Sequence, residues 1–301
     1  MTRGLRIAIT GDIDDGLEDL DSCLRPLCET LESIGIPMTI PIVAHAVENN
    51  PRKVVYLAEH GVEVSGHGDI HEGFAGPLRV QRQRLKKMNE TFGKVLGVVP
   101  AGFRAPFLAH DENLYPALAL EGFSYDSSRT SIDLLMRIRE MIFRRHMSYR
   151  DPLAKIPGTL IRRVTGRGSA RPYPVASGVI ELPVFELDDW FFFEYERGPH
   201  ITRADLSKVS DTWMAAARHL ADSQSVLVLQ AHPKRISPDR LRLLEDFVGR
   251  AKAEGYRFST LVELAKLYAP PGSSRDGTPS SLSAERNHAR SLSRSGGPDK
   301  E

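Results

Sequence analysis

Two polar clusters in the chain contain the residue types that hold a divalent metal ion. Residues 11–16 carry three aspartates and directly follow a short apolar run, and residues 65–71 carry two histidines four positions apart. Two imidazoles and one carboxylate at neighbouring strand ends can bind a divalent ion and leave coordination positions open. A second carboxylate beside that ion could act as a base on water. The pattern therefore predicts metal-assisted hydrolysis.

A repeated strand–helix pattern would position these clusters. Residues 5–10 form a compact β-type run, and residues 17–34 have helical spacing that Gly35 is suited to end. A second strand and helix follow, and residues 62–64 lead into the histidine cluster. This alternation is typical of parallel β/α units, in which residues at the carboxyl ends of strands form the active site.

Three further polar clusters follow later strand candidates. Arg104 could pair with Asp14 and hold it ionised. Asp189 precedes Trp190, whose ring could form a wall for a sugar, and His232 follows the last strong strand. Each residue has an ordinary alternative as a turn or surface residue. Five polar clusters at five strand ends nevertheless favour one shared site.

Composition describes an ordinary globular protein. Of the 301 residues, 41% are hydrophobic and 26% are charged, and the net charge of +1 gives no reason to expect nucleic acid as a partner. The two cysteines, Cys23 and Cys28, lie in an amphipathic stretch and are predicted to be free thiols. No apolar signal region precedes the first strand, and no stretch reaches membrane-spanning length, so a cytoplasmic location is expected.

The strand–helix pattern predicts a catalytic domain over residues 1–269. Two segments of the chain depart from this pattern. Residues 129–178 contain eleven Arg or Lys against three Asp or Glu, and we interpret them as a basic insertion or lid. Within it, residues 134–147 mix arginine with large apolar side chains, which favours either peripheral membrane contact or a solvated helix packed on the domain. Residues 270–301 have the composition of a disordered tail.

The order and spacing of the five clusters resemble those of the polysaccharide deacetylase family, the NodB-homology carbohydrate esterases. The similarity spans residues 5–268. The five matching motifs are Asp14-Asp15-Gly16, His67 to His71, Arg104-Ala105-Pro106, Asp189-Trp190 and Leu229 to His232. The resemblance implies an α/β fold, a distorted (β/α) barrel that often has seven strands. It also implies one divalent metal ion, with zinc favoured over cobalt, nickel, iron or manganese.

The resemblance also implies a role for each motif residue. The metal ligands would be Asp15, His67 and His71. Asp14 would be the general base, Arg104 would orient it, and the backbone N–H of Phe107 would help to stabilise the oxyanion. His232 would be the general acid, with Asp189 tuning it. From its own aromatic character, Trp190 is expected to contact substrate.

Two departures from the family pattern affect these roles. Asp12-Ile13 stands where the family has Thr-Phe, which adds a third carboxylate that could bind metal or substrate or serve as the base in place of Asp14. Gly68 replaces the usual Ser or Thr between the histidines. No predicted metal ligand is missing, so catalytic activity is expected.

The expected reaction is removal of an N-acyl group, most simply N-acetyl, from an amino sugar. The absence of an export signal in the sequence favours a nucleotide-linked or lipid-linked sugar in the cytoplasm over an extracellular polymer. Deformylation of a lipid-linked amino sugar is the nearest alternative. A non-catalytic, sugar-binding barrel is the alternative from another class of function.

Overall fold

The computed structural model describes residues 4–14, 16, 20–131, 170–185, 206–221, 224–233 and 236–270. Within these ranges nine strands are formed. They are β1 (Arg6–Gly11), β2 (Thr39–Ile42), β3 (Glu63–Gly66), β4 (Gly102–Phe103), β5 (Tyr125–Asp126), β6 (Tyr173–Ala176), β7 (Val179–Glu181), β8 (Val226–Ala231) and β9 (Arg257–Phe258).

Eight α-helices lie in the same described ranges. They are α1 (Arg25–Ile34), α2 (Ala44–Asn49), α3 (Pro51–Glu59), α4 (Leu78–Leu96), α5 (Leu114–Leu120), α6 (Leu206–Leu220), α7 (Pro238–Ala253) and α8 (Leu261–Tyr268). A π-helical segment, Leu20–Leu24, precedes α1.

The strands form one curled sheet in the order β6-β7-β5-β4-β3-β2-β1-β8, and β9 pairs with β1. Neighbours are parallel except at β6 and β7, which run antiparallel. An isolated parallel bridge between Val184 and Val228 brings the chain beyond β7 against β8, at the far end of the sheet order. The predicted α/β fold, a distorted barrel, is confirmed.

Helix α4 illustrates how the sequence determines an element. Leu85, Met88 and Phe92 recur at spacings of three and four and are all buried against the sheet. Gly97 ends the helix with a φ of 72°, a left-handed conformation that glycine adopts without strain.

Helix α1 begins later than its apolar spacing predicts. The spacing extends over residues 17–34, but α1 starts at Arg25. Pro26 lies in its first turn, the part of a helix where a residue without an N–H donor is tolerated. Gly35 ends α1 as predicted, with a φ of 62°.

Helix α8 closes the amino-terminal end of the barrel. Its backbone amides at Leu261 and Val262 donate hydrogen bonds to Thr39 on β2 and Glu63 on β3, both at the starts of those strands. The opposite, carboxyl-terminal end is therefore the end at which the polar clusters of the sequence gather. Within the described ranges, no helix combines the length and the apolar character that a membrane span needs.

Candidate metal centre

Asp14, His67 and His71 converge at the carboxyl ends of β1 and β3. The Oδ1 atom of Asp14 lies 3.7 Å from His67 Nε2 and 3.3 Å from His71 Nε2. One ligand atom from each residue lies within 4.8 Å of the other two. Tetrahedral zinc with bonds near 2 Å separates its ligand atoms by roughly 3.3 Å, so small adjustments would close this set around an ion.

Hydrogen bonding leaves the coordinating nitrogen of His67 available. His67 Nδ1 lies 2.8 Å from the backbone carbonyl oxygen of Arg104. A carbonyl only accepts, so Nδ1 carries the proton and the lone pair is on Nε2, which faces Asp14. This contact is the usual device for orienting a histidine ligand. The donor set of one carboxylate and two imidazoles therefore fits a divalent ion such as zinc.

Asp14 lies in a strongly electropositive environment. Burial raises the pKa of this carboxyl, but the neighbouring imidazoles of His67, His71 and His232 outweigh burial and lower the pKa below its usual range. Ala231, the residue before His232, is the register partner of Gly11, so His232 and Asp12 follow neighbouring strands at the same level. His232 follows β8, the strand that pairs with β1, so the register of the sheet explains its position.

The backbone conformation of the histidine loop, residues 67–74, explains why a glycine stands at position 68. Its φ is 94°, in the region that disfavours side chains, and a Cβ there would lie 3.0 Å from the Ile70 carbonyl oxygen and 3.0 Å from the Phe74 ring. The departure from Ser or Thr at this position is thus a requirement of the local geometry.

Arg104 pairs with Asp12, and the prediction that it pairs with Asp14 is wrong. Arg104 Nη1 donates to Asp12 Oδ1 over 2.6 Å, and both side chains are almost completely buried. Asp12 Oδ2 accepts from Gln230 Nε2 at 2.5 Å. The extended chain explains the difference, since Asp12 directly follows β1 and turns its side chain into the barrel.

Arg104 is held by two residues besides Asp12. Its Nη1 also donates to Thr10 Oγ1, its Nε donates to the Ser127 carbonyl, and its Nη2 donates to Ser127 Oγ. A guanidinium with this many partners is fixed in one orientation. The pair of Arg104 and Asp12 is therefore a rigid feature of the barrel interior.

Phe107 lies at the rim of the candidate centre. Its ring centroid is 4.2 Å from that of His71, and 61% of the residue is exposed. Phe107 and Leu108 have φ values of 58° and 54°, which cost free energy in residues with a side chain. The role predicted for the Phe107 N–H stays a prediction.

A second buried cluster of acids lies at the ends of β5 and β7. Asp126 and Glu181 are register partners on these adjacent strands, and neither has solvent-exposed surface. Burial raises the pKa of both carboxyls, and for Glu181 the neighbouring Asp126 raises it further. We interpret the pair as two carboxyl groups that share one proton.

Several predicted residues lie outside the described ranges. They are Asp15, Asp189 and Trp190, together with residues 134–147, most of the insertion and the tail beyond residue 270. The roles predicted for them stay predictions.

Sequence reasoning missed the residues that support the centre from other elements. Gln230 and Ser127 both stand at strand ends, a signal that could have identified them. Arg84 on α4 also contacts the histidine loop, but it is one of several basic residues on that helix and has no distinguishing local pattern.

Comparisons with known proteins agree with this architecture. Residues 4–125 match the family model described as polysaccharide deacetylase. The chain is 30% identical over 110 residues to the peptidoglycan deacetylase-like protein FGM2 of Gibberella zeae, an alignment that covers 36% of this chain and 32% of that protein. The chain thus spans about a third of the length of this curated relative.

Two solved structures share the fold. One, from Mycobacterium smegmatis and described as a polysaccharide deacetylase, has a TM-score of 0.66 and 21% identity, with 89% of this chain and 91% of that chain covered. The other, the PuuE allantoinase, has a TM-score of 0.64 and 15% identity, with 87% and 89% covered.

Proposed function

We propose that this chain, of which residues 4–125 match the polysaccharide deacetylase family model, is a metal-dependent hydrolase that removes an N-acyl group from an amino sugar. One observation carries the proposal. Asp14, His67 and His71 converge on one point, and a buried carboxylate, Asp12, lies two residues from Asp14 and is paired with Arg104. The chain thus combines a ligand set with a buried carboxylate, two residues before one of the ligands, that could act as a base.

We assign the ligand role to Asp14, His67 and His71. When bound, a divalent ion would supply a Lewis acid that polarises the acyl carbonyl and makes water easier to deprotonate. The three side chains are 16%, 2% and 14% exposed. Such a site is shielded from bulk solvent yet open enough for substrate. Asp15, which the family resemblance favours as the ligand, remains the alternative.

We assign the general-base role to Asp12 in place of Asp14. Arg104 and Gln230 each donate one hydrogen bond to the Asp12 carboxylate, one on each oxygen. Each oxygen of an ionised carboxylate has two lone-pair sites, so Asp12 keeps capacity to accept a proton from water. Asp14 is less suited to this role because its carboxylate faces the two imidazoles that would share an ion with it.

The remaining roles follow the family resemblance. His232 would donate a proton to the leaving amine, since it follows β8, which pairs with β1, at the end of the sheet where Asp12 and Asp14 lie. The Phe107 N–H would stabilise the oxyanion, Asp189 would tune His232, and Trp190 would contact the sugar.

The proposed substrate is more specific than the substrate class that the family implies, and it is argued from the sequence. N-acetyl is the favoured acyl group, on a nucleotide-linked or lipid-linked amino sugar in the cytoplasm, and the basic segment at 134–147 would contact a lipid carrier at the membrane surface. A lipid-linked deformylase is the alternative reaction on the same site.

The direct test combines metal analysis with a substrate panel. Purified protein is depleted of metal with a chelator, reloaded with zinc or cobalt, and incubated with free, nucleotide-linked and lipid-linked N-acyl amino sugars. We expect amine release that disappears on depletion and returns with about one equivalent of metal. Acetate or formate in the product identifies the acyl group.

Two variants control this test. His67→Ala should lose both metal and turnover, because it removes a ligand. His219→Ala, at an exposed histidine on α6, should lose neither. A protein that holds no metal and releases no amine from any substrate would instead support a non-catalytic, sugar-binding barrel.

A further inference from the structure

Arg84 on α4 makes four contacts with the histidine loop, residues 67–74. Its Nε donates to Asp69 Oδ1 at 2.8 Å, its Nη1 to the Gly73 carbonyl at 2.9 Å, and its Nη2 to the Glu72 carbonyl at 3.2 Å. The guanidinium carbon also lies 4.1 Å from the centroid of the Phe74 ring. One side chain thus engages both flanks of His71.

The two histidines differ in how their backbone is supported. Near His67, main-chain hydrogen bonds to neighbouring elements hold the chain: the His67 amide donates to Ile42, and the amides of Ala44 and His45 donate to the carbonyls of Gly68 and Asp69. The chain around His71 has no regular secondary structure, and the Glu72 amide donates within the loop to Ile70. Around His71, where the chain has no regular secondary structure, the Arg84 guanidinium supplies hydrogen-bond donors in a fixed arrangement.

The geometry suits an arginine better than a lysine. The planar guanidinium presents several N–H groups in a fixed fork, and here they reach one carboxylate and two carbonyls that follow one another along the loop. The side chain of Arg84 is 18% exposed and that of Asp69 is 9% exposed, so water competes weakly for these bonds.

We propose that Arg84 is a positioning residue for metal binding, which holds the histidine loop so that His71 meets Asp14 and His67. This inference rests on the proposed function, since it assumes that these three residues bind an ion. Losing a residue that orients a metal ligand typically weakens metal affinity by about 10- to 100-fold. We expect a loss in that range when the Arg84 fork is removed.

The chain offers a matched control on the same helix. Arg82 Nε donates to Glu121 Oε1 at 2.7 Å, a bond of the same chemistry that ties α4 to the residue after α5 instead of to the histidine loop. Arg82→Met and Arg84→Met therefore each remove one arginine–carboxylate pair from α4. If Arg84 serves only to dock the helix, the two variants should behave alike.

The experiment measures the dissociation constant for zinc by competition with a chromophoric chelator, and the melting temperature of each metal-free protein. We expect Arg84→Met to bind zinc at least about 10-fold more weakly than wild type, with Arg82→Met within about 2-fold of wild type. Arg84→Lys should recover part of the loss, because it keeps the charge near Asp69 but not the fork.

The outcomes separate the two proposals. Wild-type protein that binds no zinc would overturn the proposed function and this inference with it. Wild-type binding together with equal affinities in the two methionine variants would overturn only the positioning role of Arg84. If Arg84→Met does not fold, Arg84→Lys provides the test. An unchanged zinc affinity in Arg84→Lys would overturn the claim that the guanidinium N–H groups of Arg84 position the histidine loop.

Discussion

Two buried carboxyl systems lie at the same end of the sheet and are stabilised in opposite ways. At the end of β1, Asp12 meets a cation, because Arg104 donates to it within a network that includes Gln230 and Thr10. At the ends of β5 and β7, Asp126 meets a second acid, Glu181, directly across the strand pair. One carboxylate is balanced by a guanidinium and the other by a proton.

The difference shows how burial alone fails to assign a role to an acid. All of these side chains are almost completely inaccessible to solvent. Burial raises the pKa of Asp126 and Glu181, whose nearest charged neighbours include each other. Around Glu181 the charged or titratable neighbours are Asp126, Arg129, Tyr115 and Tyr173. A carboxyl that keeps a proton suits a structural role, whereas one paired with arginine beside a metal set suits a base.

Removing the cation should have the largest effect on stability. Arg104→Met leaves Asp12 buried without its partner, and breaking one side of a buried ion pair costs about 3–5 kcal/mol. We expect a loss of this size in the free energy of unfolding, measured by urea denaturation, together with lower turnover. In this variant Asp12 would be, like Asp126, a buried carboxyl group without an arginine partner.

An exposed ion pair provides the control for this measurement. Arg218 and Glu254 form an ion pair in which the side chains are 56% and 32% exposed, and exposed pairs contribute at most about 1 kcal/mol. Arg218→Met should therefore be nearly neutral. If Arg104→Met costs no more than Arg218→Met, the structural importance of the buried pair would be refuted.

Removing the titratable carboxyl group of Glu181 should have a smaller, pH-dependent effect on the free energy of unfolding. The pKa of Glu181 is raised in the folded protein, so the folded state binds more protons than the unfolded state above the ordinary carboxyl range. The contribution of this group is therefore fully present at low pH and is lost as the pH rises through the folded pKa. It amounts to about 1.4 kcal/mol for each unit of pKa shift.

The variant Glu181→Gln tests that dependence. A neutral amide can donate to Asp126 at any pH and can keep an acceptor for the Arg129 amide, which now donates to Glu181 Oε1. We expect Glu181→Gln to gain stability relative to wild type as the pH rises from 4 to 9, by urea denaturation. Glu245→Gln, at an exposed position on α7, should run parallel to wild type. A parallel curve for Glu181→Gln would rule out the shared proton.

The sequence was sufficient for the barrel because its elements are strongly patterned. The spacing of Leu85, Met88 and Phe92 defines α4, and Gly35 and Gly97 end their helices as such glycines are expected to. The histidine pair could be identified because both residues lie in one short loop after a strand. Apolar periodicity within a helix and the short spacing between two histidines can be recognised from the sequence without knowledge of the tertiary structure.

Partners across the barrel could not be read in the same way. Arg104 could have reached Asp12 or Asp14, and only the packed strands select Asp12. Gln230 meets Asp12 because β8 lies beside β1, a neighbour relation between strands more than 200 residues apart. Glu181 and Asp126 are brought together by the same kind of long-range pairing. Such contacts depend on topology, which no local pattern encodes.

The most direct test compares Asp12→Asn with Asp14→Asn for bound zinc and for amine release. We predict that Asp12→Asn keeps wild-type metal content but loses turnover by about 10²- to 10⁴-fold, as expected for loss of a general base. Asp14→Asn should lose metal and turnover together, because it removes a ligand. The assignment of Asp12 as base and Asp14 as ligand would be contradicted if Asp12→Asn stayed fully active, or if Asp14→Asn retained its metal while Asp15→Asn lost it.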